Sequence, residues 1–144
     1  VLWEQGTLLS DVFKTTEAKY PLPDPQWIED RFWVWTHYAT TKIARGEYFE
    51  ALEFLSFIRT TVLSPLALKQ AELTPSGVRK IETRLPEFSK KLELTVAKPN
   101  KVELTLAVKQ CIGLYLELRE HEEIQKNTEA QEMCIQYFGD ETHQ

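Results

Sequence analysis

Residues 31–39, RFWVWTHYA, carry large apolar side chains in close succession: Phe32, Trp33, Val34, Trp35 and then Tyr38. A helix on the surface of a protein needs one apolar stripe to pack against its neighbours. This stretch presents apolar bulk on nearly every side of a helix. Three explanations are open for the additional apolar face: a central position in a bundle, contact with another domain, or a ligand cleft.

The residues around this stretch indicate both ends of one helix. Asp24 is a favourable N-cap, Pro25 suits the first helical position, and Gly46 ends the pattern after Arg45. Positions three or four residues apart form its main apolar face, namely Ile28, Phe32, Trp35, Ala39 and Ile43. The other aromatic residues fall on the remaining faces.

Further helices are predicted along the rest of the chain. One begins near Glu47, and Pro65 is expected to kink or end it. Two short helices follow, around 78–84 and 86–94. A long helix begins after Asn100, with Glu103 at the capping-box position and an apolar face of Leu104, Val108, Cys111, Tyr115 and Leu118. A last helix is predicted from 124 or 128 to 138, with inward side chains Met133, Cys134, Tyr137 and Phe138.

These patterns predict an all-α fold, an antiparallel up-and-down bundle of four to five helices with a short extended N-terminal segment. The first residue is Val1 rather than Met, and the opening VLWEQGTLL has the character of a strand. We therefore expect a fragment of a longer protein. Pro21, Pro23 and Pro25 indicate an extended connector. The expected division is a preceding segment with a Pro-rich linker over 1–23 and a helical domain over 24–144.

Composition narrows the classes of function. The 144 residues are 42% apolar and 27% charged, with a net charge of −5, so a nucleic-acid-binding protein is not the default. No uninterrupted apolar run approaches the ~18 residues of a membrane span. Cys111 and Cys134 are too few for a disulfide scaffold and are expected to be small buried hydrophobic residues, so we expect a cytoplasmic protein. The three histidines are scattered, which predicts no metal site.

One stretch also carries a family resemblance. FWVWTHYATTKIARGEYFEA, residues 32–51, resembles the helix–turn–helix that opens the C-terminal domain of aminoglycoside adenylyltransferases, especially the streptomycin type. The shared spacing joins Phe32-Trp33, Tyr38, Arg45, Glu47 and Ala51. Three further segments are similar to later stretches of this family and of related bacterial nucleotidyltransferases, namely LSFIRTTVLSPLAL, GVRKIETRLP and IGLYLELRE. VLWEQGTLL looks like the last strand and turn of the catalytic domain.

The resemblance implies a two-domain bacterial enzyme that transfers a nucleotidyl group from a nucleoside triphosphate to a small acceptor such as an aminoglycoside. Residues 1–23 would then be a remnant of the catalytic domain, which has a polymerase-β-like fold. In the family that domain holds Mg²⁺ and the nucleotide through a Gly-Ser and an Asp-x-Asp motif. This chain contains neither motif. We therefore expect the chain alone to be inactive, with Mg²⁺ and nucleotide bound in the missing domain.

The resemblance implies that the helical domain closes the cleft and binds the acceptor. Glu29 and Asp30 are the candidate catalytic bases for an acceptor hydroxyl, or alternatively acids that oppose a helix dipole. Trp33 and Tyr38 either stack on a flat substrate or pack in the core. Glu47 either binds a cationic acceptor or stabilises the first turn of its helix.

The expected partners are a small-molecule acceptor and the N-terminal nucleotidyltransferase domain. Neither nucleic acid nor a membrane is expected as a partner. A homodimer is left open. A second hypothesis is a non-enzymatic helical module that pairs with another protein through its aromatic helix face. A dimer that buries this face would favour the second hypothesis. The two hypotheses share one fold.

Overall fold

The computed structural model describes residues 22–142. The predicted extended segment and most of the predicted linker, residues 1–21, lie outside the described residues. Within 22–142 the chain forms helices and no strands, so the all-α prediction is confirmed. The helices are α1 (Pro25–Ala44), α2 (Tyr48–Ile58), α3 (Ser64–Gln70), α4 (Ile81–Arg84), α5 (Pro86–Glu93), α6 (Lys101–Arg119) and α7 (Thr128–Thr142).

Helices α1 and α6 begin where their capping residues predict. The Asp24 carboxylate accepts hydrogen bonds from the backbone N–H groups of Gln26 and Trp27, each at 3.1 Å. The Asn100 side chain accepts one from the N–H of Glu103 at 2.9 Å. Such a cap stabilises a helix by about 1 kcal/mol, because it satisfies N–H groups that have no partner inside the helix.

Pro65 does not end the second helix, which continues to Gln70. A π-helical turn, Arg59–Leu63, joins α2 to α3, and the N–H of Ser64 donates to the carbonyl of Arg59. Proline has no N–H, and its ring crowds the preceding turn of an α-helix. The wider π turn accommodates Pro65 without ending the helix.

The continuous helix Tyr48–Gln70 is long and apolar enough, by length and composition alone, to cross a membrane. Sixty-one per cent of its apolar window is buried inside the protein. Core helices of water-soluble proteins have the same length and composition. Its packing explains its apolar character here, because it contacts both α1 and α6.

Helix α1 occupies a central position, in contact with α2, α6 and α7. Phe32 stacks on Tyr115 of α6 with ring centroids 4.0 Å apart. Trp35 meets Phe57 of α2 edge to face at 5.0 Å. Because three helices surround α1, its apolar bulk on several sides is largely explained by packing within this chain. Val34 remains exposed, at 67% of its surface.

Most predicted core positions are confirmed. The predicted apolar face of α6 is buried, and that of α1 is buried except for the half-buried Trp35. Met133 was predicted to point inward and is 66% exposed, so this prediction is wrong. Helix α7 packs through Cys134 and Phe138, and Met133 lies about 100° round the helix from Cys134. The helix also extends beyond the predicted end, to Thr142.

Candidate functional site

The predicted site residues lie at different places along α1 and the turn that follows it. Glu29 and Trp33 are buried side by side in the N-terminal half of the helix. Asp30 is exposed, and its carboxylate accepts a hydrogen bond from the Gln26 side chain at 3.0 Å. Tyr38 and Glu47 lie near each other at the C-terminal end. The predicted residues therefore do not converge on one point.

The Glu29 carboxylate is the centre of a buried cluster, which we call the Glu29 network. Its Oε1 accepts a hydrogen bond from the Tyr115 hydroxyl at 2.7 Å. Its Oε2 accepts from Trp33 Nε1 at 3.0 Å and from the backbone N–H of Asn127 at 2.9 Å. The Arg119 guanidinium lies 3.2 Å from Oε2. The network ties α1 to α6 and to the loop before α7.

Electrostatics keep this carboxylate ionised. Burial alone would raise the pKa of Glu29, but the hydrogen bonds from Tyr115, Trp33 and Asn127 outweigh burial, and the pKa is lowered from 4.5. Burial, together with the hydrogen bond to Glu29, raises the pKa of Tyr115. The phenol is therefore a neutral donor and the carboxylate a charged acceptor.

Glu29 has no oxygen position left for a substrate proton in this arrangement. Both oxygens already accept hydrogen bonds, and the residue is 0% exposed. A general base needs a lone pair within reach of the proton that it removes. The catalytic roles of Glu29 and Asp30 stay predictions. Of the two, Asp30 is the one that a substrate could approach without rearrangement.

The second group, which we call the Lys42 cluster, surrounds the turn between α1 and α2. Lys42 Nζ lies 2.7 Å from a carboxylate oxygen of Glu47 and 2.9 Å from one of Glu50. It also lies 5.1 Å from the centroid of the Tyr38 ring. Hydrogen bonds to the two carboxylates raise the pKa of Lys42, and the hydrogen bond from Lys42 lowers the pKa of Glu47.

Glu47 occupies the N-cap position of α2, yet its side chain makes no capping hydrogen bond. It pairs with Lys42 instead, at 39% side-chain exposure. A capping role would use the carboxylate oxygens on the backbone N–H groups of α2. The observed pairing leaves the carboxylate accessible from solvent, and its substrate-binding role stays a prediction.

A groove between α1 and α2 adjoins the Lys42 cluster. It encloses about 430 Å³ and is lined by aromatic and acidic side chains, namely Trp35, Tyr38, Glu50, Glu53, Phe54 and Phe57. Glu53 forms no ion pair within residues 22–142. Aromatic faces and carboxylates both attract cations. The groove therefore has the chemistry to hold a cationic small molecule.

Sequence reasoning did not identify several of these residues. Tyr115 and Arg119 are four residues apart on α6, as Glu29 and Trp33 are on α1, so each pair presents its polar groups on one helix face. Polar atoms among the apolar residues of two helix faces indicate a buried hydrogen-bond network, because buried polar atoms need partners. No comparable signal pointed to Asn127, which contributes only its backbone N–H.

No group of three or more His, Cys, Asp or Glu side chains in the described part of the chain is arranged to hold a metal ion. Both cysteines are buried, as predicted. Burial raises the pKa of Cys111 to about 12 and that of Cys134 to about 11, so neither thiol is a reactive nucleophile. The expectation that Mg²⁺ and nucleotide bind in a preceding domain stays a prediction.

Comparison of the chain with protein-family models, with curated proteins and with solved structures finds no match.

Proposed function

We propose that this chain is the helical substrate-binding domain of a bacterial, cytoplasmic nucleotidyltransferase that modifies a small cationic acceptor such as an aminoglycoside. A polymerase-β-like domain preceding the helices would supply Mg²⁺ and the nucleoside triphosphate. We also propose that α1, α2, α6 and α7 form an antiparallel up-and-down bundle, since α1 contacts the other three. Support for the function comes from the spacing of residues 32–51 and from the groove between α1 and α2.

The groove is the observation that carries the proposal. Three of its six lining residues, Trp35, Tyr38 and Glu50, lie within residues 32–51, and Tyr38 also belongs to the spacing shared with the family. An amino or guanidino group of the acceptor would sit against the rings of Trp35 and Tyr38. Glu53 would pair with the cation, while Glu50 stays engaged by Lys42.

A titration of the chain with streptomycin tests acceptor binding without any catalytic domain. Saturable binding is expected, measured by calorimetry and by tryptophan fluorescence. The affinity should fall as the salt concentration rises, because salt screens the carboxylates. Glu53→Gln should weaken binding roughly tenfold, since it removes a charge-assisted contact. Glu82→Gln is the matched control, because Glu82 is an exposed acid of α4, outside the groove. Absent binding, or equal effects of both substitutions, would contradict the proposal.

Catalysis needs a second experiment on a protein that also contains the proposed preceding domain. With Mg-ATP and streptomycin we expect nucleotidyl transfer, and Asp30→Asn should lower turnover if this acid serves the acceptor hydroxyl. Glu29→Gln should lower turnover as well if Glu29 has that role, but unfolding must be measured in parallel because the Glu29 network is structural in this arrangement. Unchanged rates in both variants would remove both residues from the mechanism.

The apolar surface between α1 and α7 favours a second candidate, a helical interaction module. Val34 and Met133 are each exposed by about two thirds, at 67% and 66%, and they line a groove of about 460 Å³. Trp33 is buried by its own chain, so the aromatic face available to a partner is smaller than the sequence implied. Sedimentation at increasing concentration tests self-association, and Val34→Asp should abolish any dimer formed through this face. A monomer at every concentration would exclude a homodimer.

A further inference from the structure

A basic cradle lies on the loop between α3 and α5. It encloses about 250 Å³ and is lined by Thr74, Pro75, Ser76, Arg79, Lys80 and Arg84. Three of these six residues are cationic, two carry hydroxyls and none is acidic. The concentration of positive charge is notable in a chain whose net charge is −5.

The cations of the cradle are positioned by the loop itself. The Ser76 hydroxyl accepts a hydrogen bond from Arg84 Nη1 at 2.8 Å, which holds the guanidinium at the rim of the cavity. The N–H of Arg79 donates to the carbonyl of Ser76 at 3.1 Å and closes the turn. Over residues 22–142, neither Lys80 nor Arg84 lies within ion-pairing distance of a carboxylate. Two of the positive charges are therefore available to an anion.

The backbone of the cradle is held in an unfavourable conformation. Lys80 has φ of 55°, in the left-handed region that residues other than glycine, asparagine and aspartate rarely adopt. Glycine at this position would relieve the strain and would also remove the positive charge. Gly77, at φ of 60°, lets the loop approach the π turn between α2 and α3, because a Cβ there would lie 3.3 Å from the Thr60 side chain.

The cradle also adjoins the start of α1. Pro75 lines both the cradle and a neighbouring apolar cavity of about 330 Å³, whose other walls include Leu22, Asp24 and Trp27. An anion in the cradle would therefore lie close to the N-terminal end of α1. This surface is separate from the acidic groove between α1 and α2.

We propose that the basic cradle binds a polyphosphate group, carried by inorganic pyrophosphate or by a nucleoside di- or triphosphate. Guanidinium, ammonium and hydroxyl groups are the side chains that bind phosphate oxygens most directly. The uncharged Thr74 and Ser76 hydroxyls would add hydrogen bonds beside Lys80 and Arg84. The proposal concerns an anion and does not depend on acceptor binding in the α1–α2 groove.

Titration of the chain with inorganic pyrophosphate at low ionic strength tests the cradle, with calorimetry for affinity and amide chemical shifts for location. Saturable binding is expected, with the largest shift changes in residues 74–84. Arg84→Gln should weaken it roughly tenfold, because a charge-assisted contact is lost. Lys109→Gln, which removes an exposed positive charge on α6, should change the affinity less than twofold.

Two glycine substitutions separate binding from folding. Lys80→Gly should raise the melting temperature, because the strain is relieved, and should weaken pyrophosphate binding several-fold, because a cation is lost. Glu72→Gly relieves a second left-handed residue, at φ of 59°, outside the cradle. It should raise the melting temperature without weakening binding.

The source of the polyphosphate is found by competition. ATP that displaces pyrophosphate more strongly than inorganic tripolyphosphate does identifies a nucleotide as the carrier, and tripolyphosphate that displaces it as strongly as ATP identifies an inorganic polyphosphate. ATP that displaces it no better than AMP would overturn the assignment to a polyphosphate. Stronger displacement by a single-stranded oligonucleotide would overturn the assignment to a small molecule. No saturable binding, or unchanged affinity in both Arg84→Gln and Lys80→Gly, would overturn the cradle.

Discussion

The two ends of α1 combine the same kinds of side chain in opposite surroundings. The Glu29 network joins a carboxylate, a cation and aromatic rings. The side chain of Glu29 is 0% exposed and that of Arg119 is 6% exposed. The Lys42 cluster joins the same groups with Glu47 and Glu50 at 39% and 52% exposure. The chemistry is shared, and burial is the main difference.

This difference determines what each group can do. A buried pair loses its hydration, so each charge depends on the partners that the fold supplies. A pair at the surface remains hydrated, and solvent and salt weaken its attraction. The Glu29 network is therefore suited to hold three parts of the chain together. The Lys42 cluster can exchange its partners for a ligand at little cost to the fold.

The largest expected effect comes from breaking the buried pair. Arg119→Met leaves the Glu29 charge buried without its cation, and such a change costs about 3–5 kcal/mol of unfolding free energy. Urea denaturation measures it. The double variant Glu29→Met with Arg119→Met should be less destabilised than the sum of the two single variants. Single-variant losses below about 1 kcal/mol would show that the pair is not as buried as described.

Acid should remove the contribution of the network. The folded-state pKa of Glu29 is lowered from 4.5, so its stabilising effect is fully present above about pH 4.5 and is lost as the pH falls through the folded pKa. The difference in unfolding free energy between the wild type and Glu29→Gln should therefore shrink from pH 7 to pH 3. Denaturation curves at several pH values measure this difference. A constant difference would indicate that the pKa of Glu29 is the same in the folded and the unfolded state.

Removing one donor should have a smaller effect. Tyr115→Phe deletes the hydroxyl that donates to Oε1 of Glu29, and hydrogen bonds to charged groups contribute about 1.5–3 kcal/mol. Tyr137→Phe is the matched control, because its hydroxyl pairs with the neutral Thr41 hydroxyl at 3.0 Å. It should cost about 0.5–1.5 kcal/mol. Equal losses in the two variants would mean that the charge on Glu29 adds nothing.

The smallest effect is expected in the Lys42 cluster. Glu47→Gln removes one acid from a solvated pair, and Glu50 remains beside Lys42. The melting temperature should stay close to that of the wild type. It should also change less with salt concentration than the melting temperature of the wild type does. A loss as large as that in Tyr115→Phe would show that exposure does not distinguish the two ends of α1.

Local features were predictable from the sequence, and features that depend on distant contacts were not. Asp24 and Asn100 cap their helices through residues two or three positions away, so their roles follow from adjacent sequence. Pro65 ends or kinks a helix by local rules, and only the π turn, in a segment packed against α6, allows the helix to continue. The surplus aromatic bulk of α1 was noticed, but its explanation required the positions of α6 and α7.

The candidate site shows the same limit. The groove residues Trp35 and Glu53 come from two helices whose relative rotation the sequence does not specify. Glu29 was predicted as a candidate catalytic base, and apart from Trp33 its partners lie 86 to 98 positions later in the chain. Glu29 was interpreted through the family resemblance, whereas its observed contacts are with Trp33 on the same helix and with the distant Tyr115, Arg119 and Asn127.

That separation has a consequence for the newly made protein. At about 5–20 residues per second, roughly 5–20 s pass on the ribosome between the synthesis of Glu29 and that of Asn127. During this interval the first long helix has no complete set of partners for its acid or for its aromatic rings. Complete docking of this helix must therefore wait until the chain has been translated at least as far as Asn127. The nascent chain is a ready client for chaperones that shield exposed apolar surface.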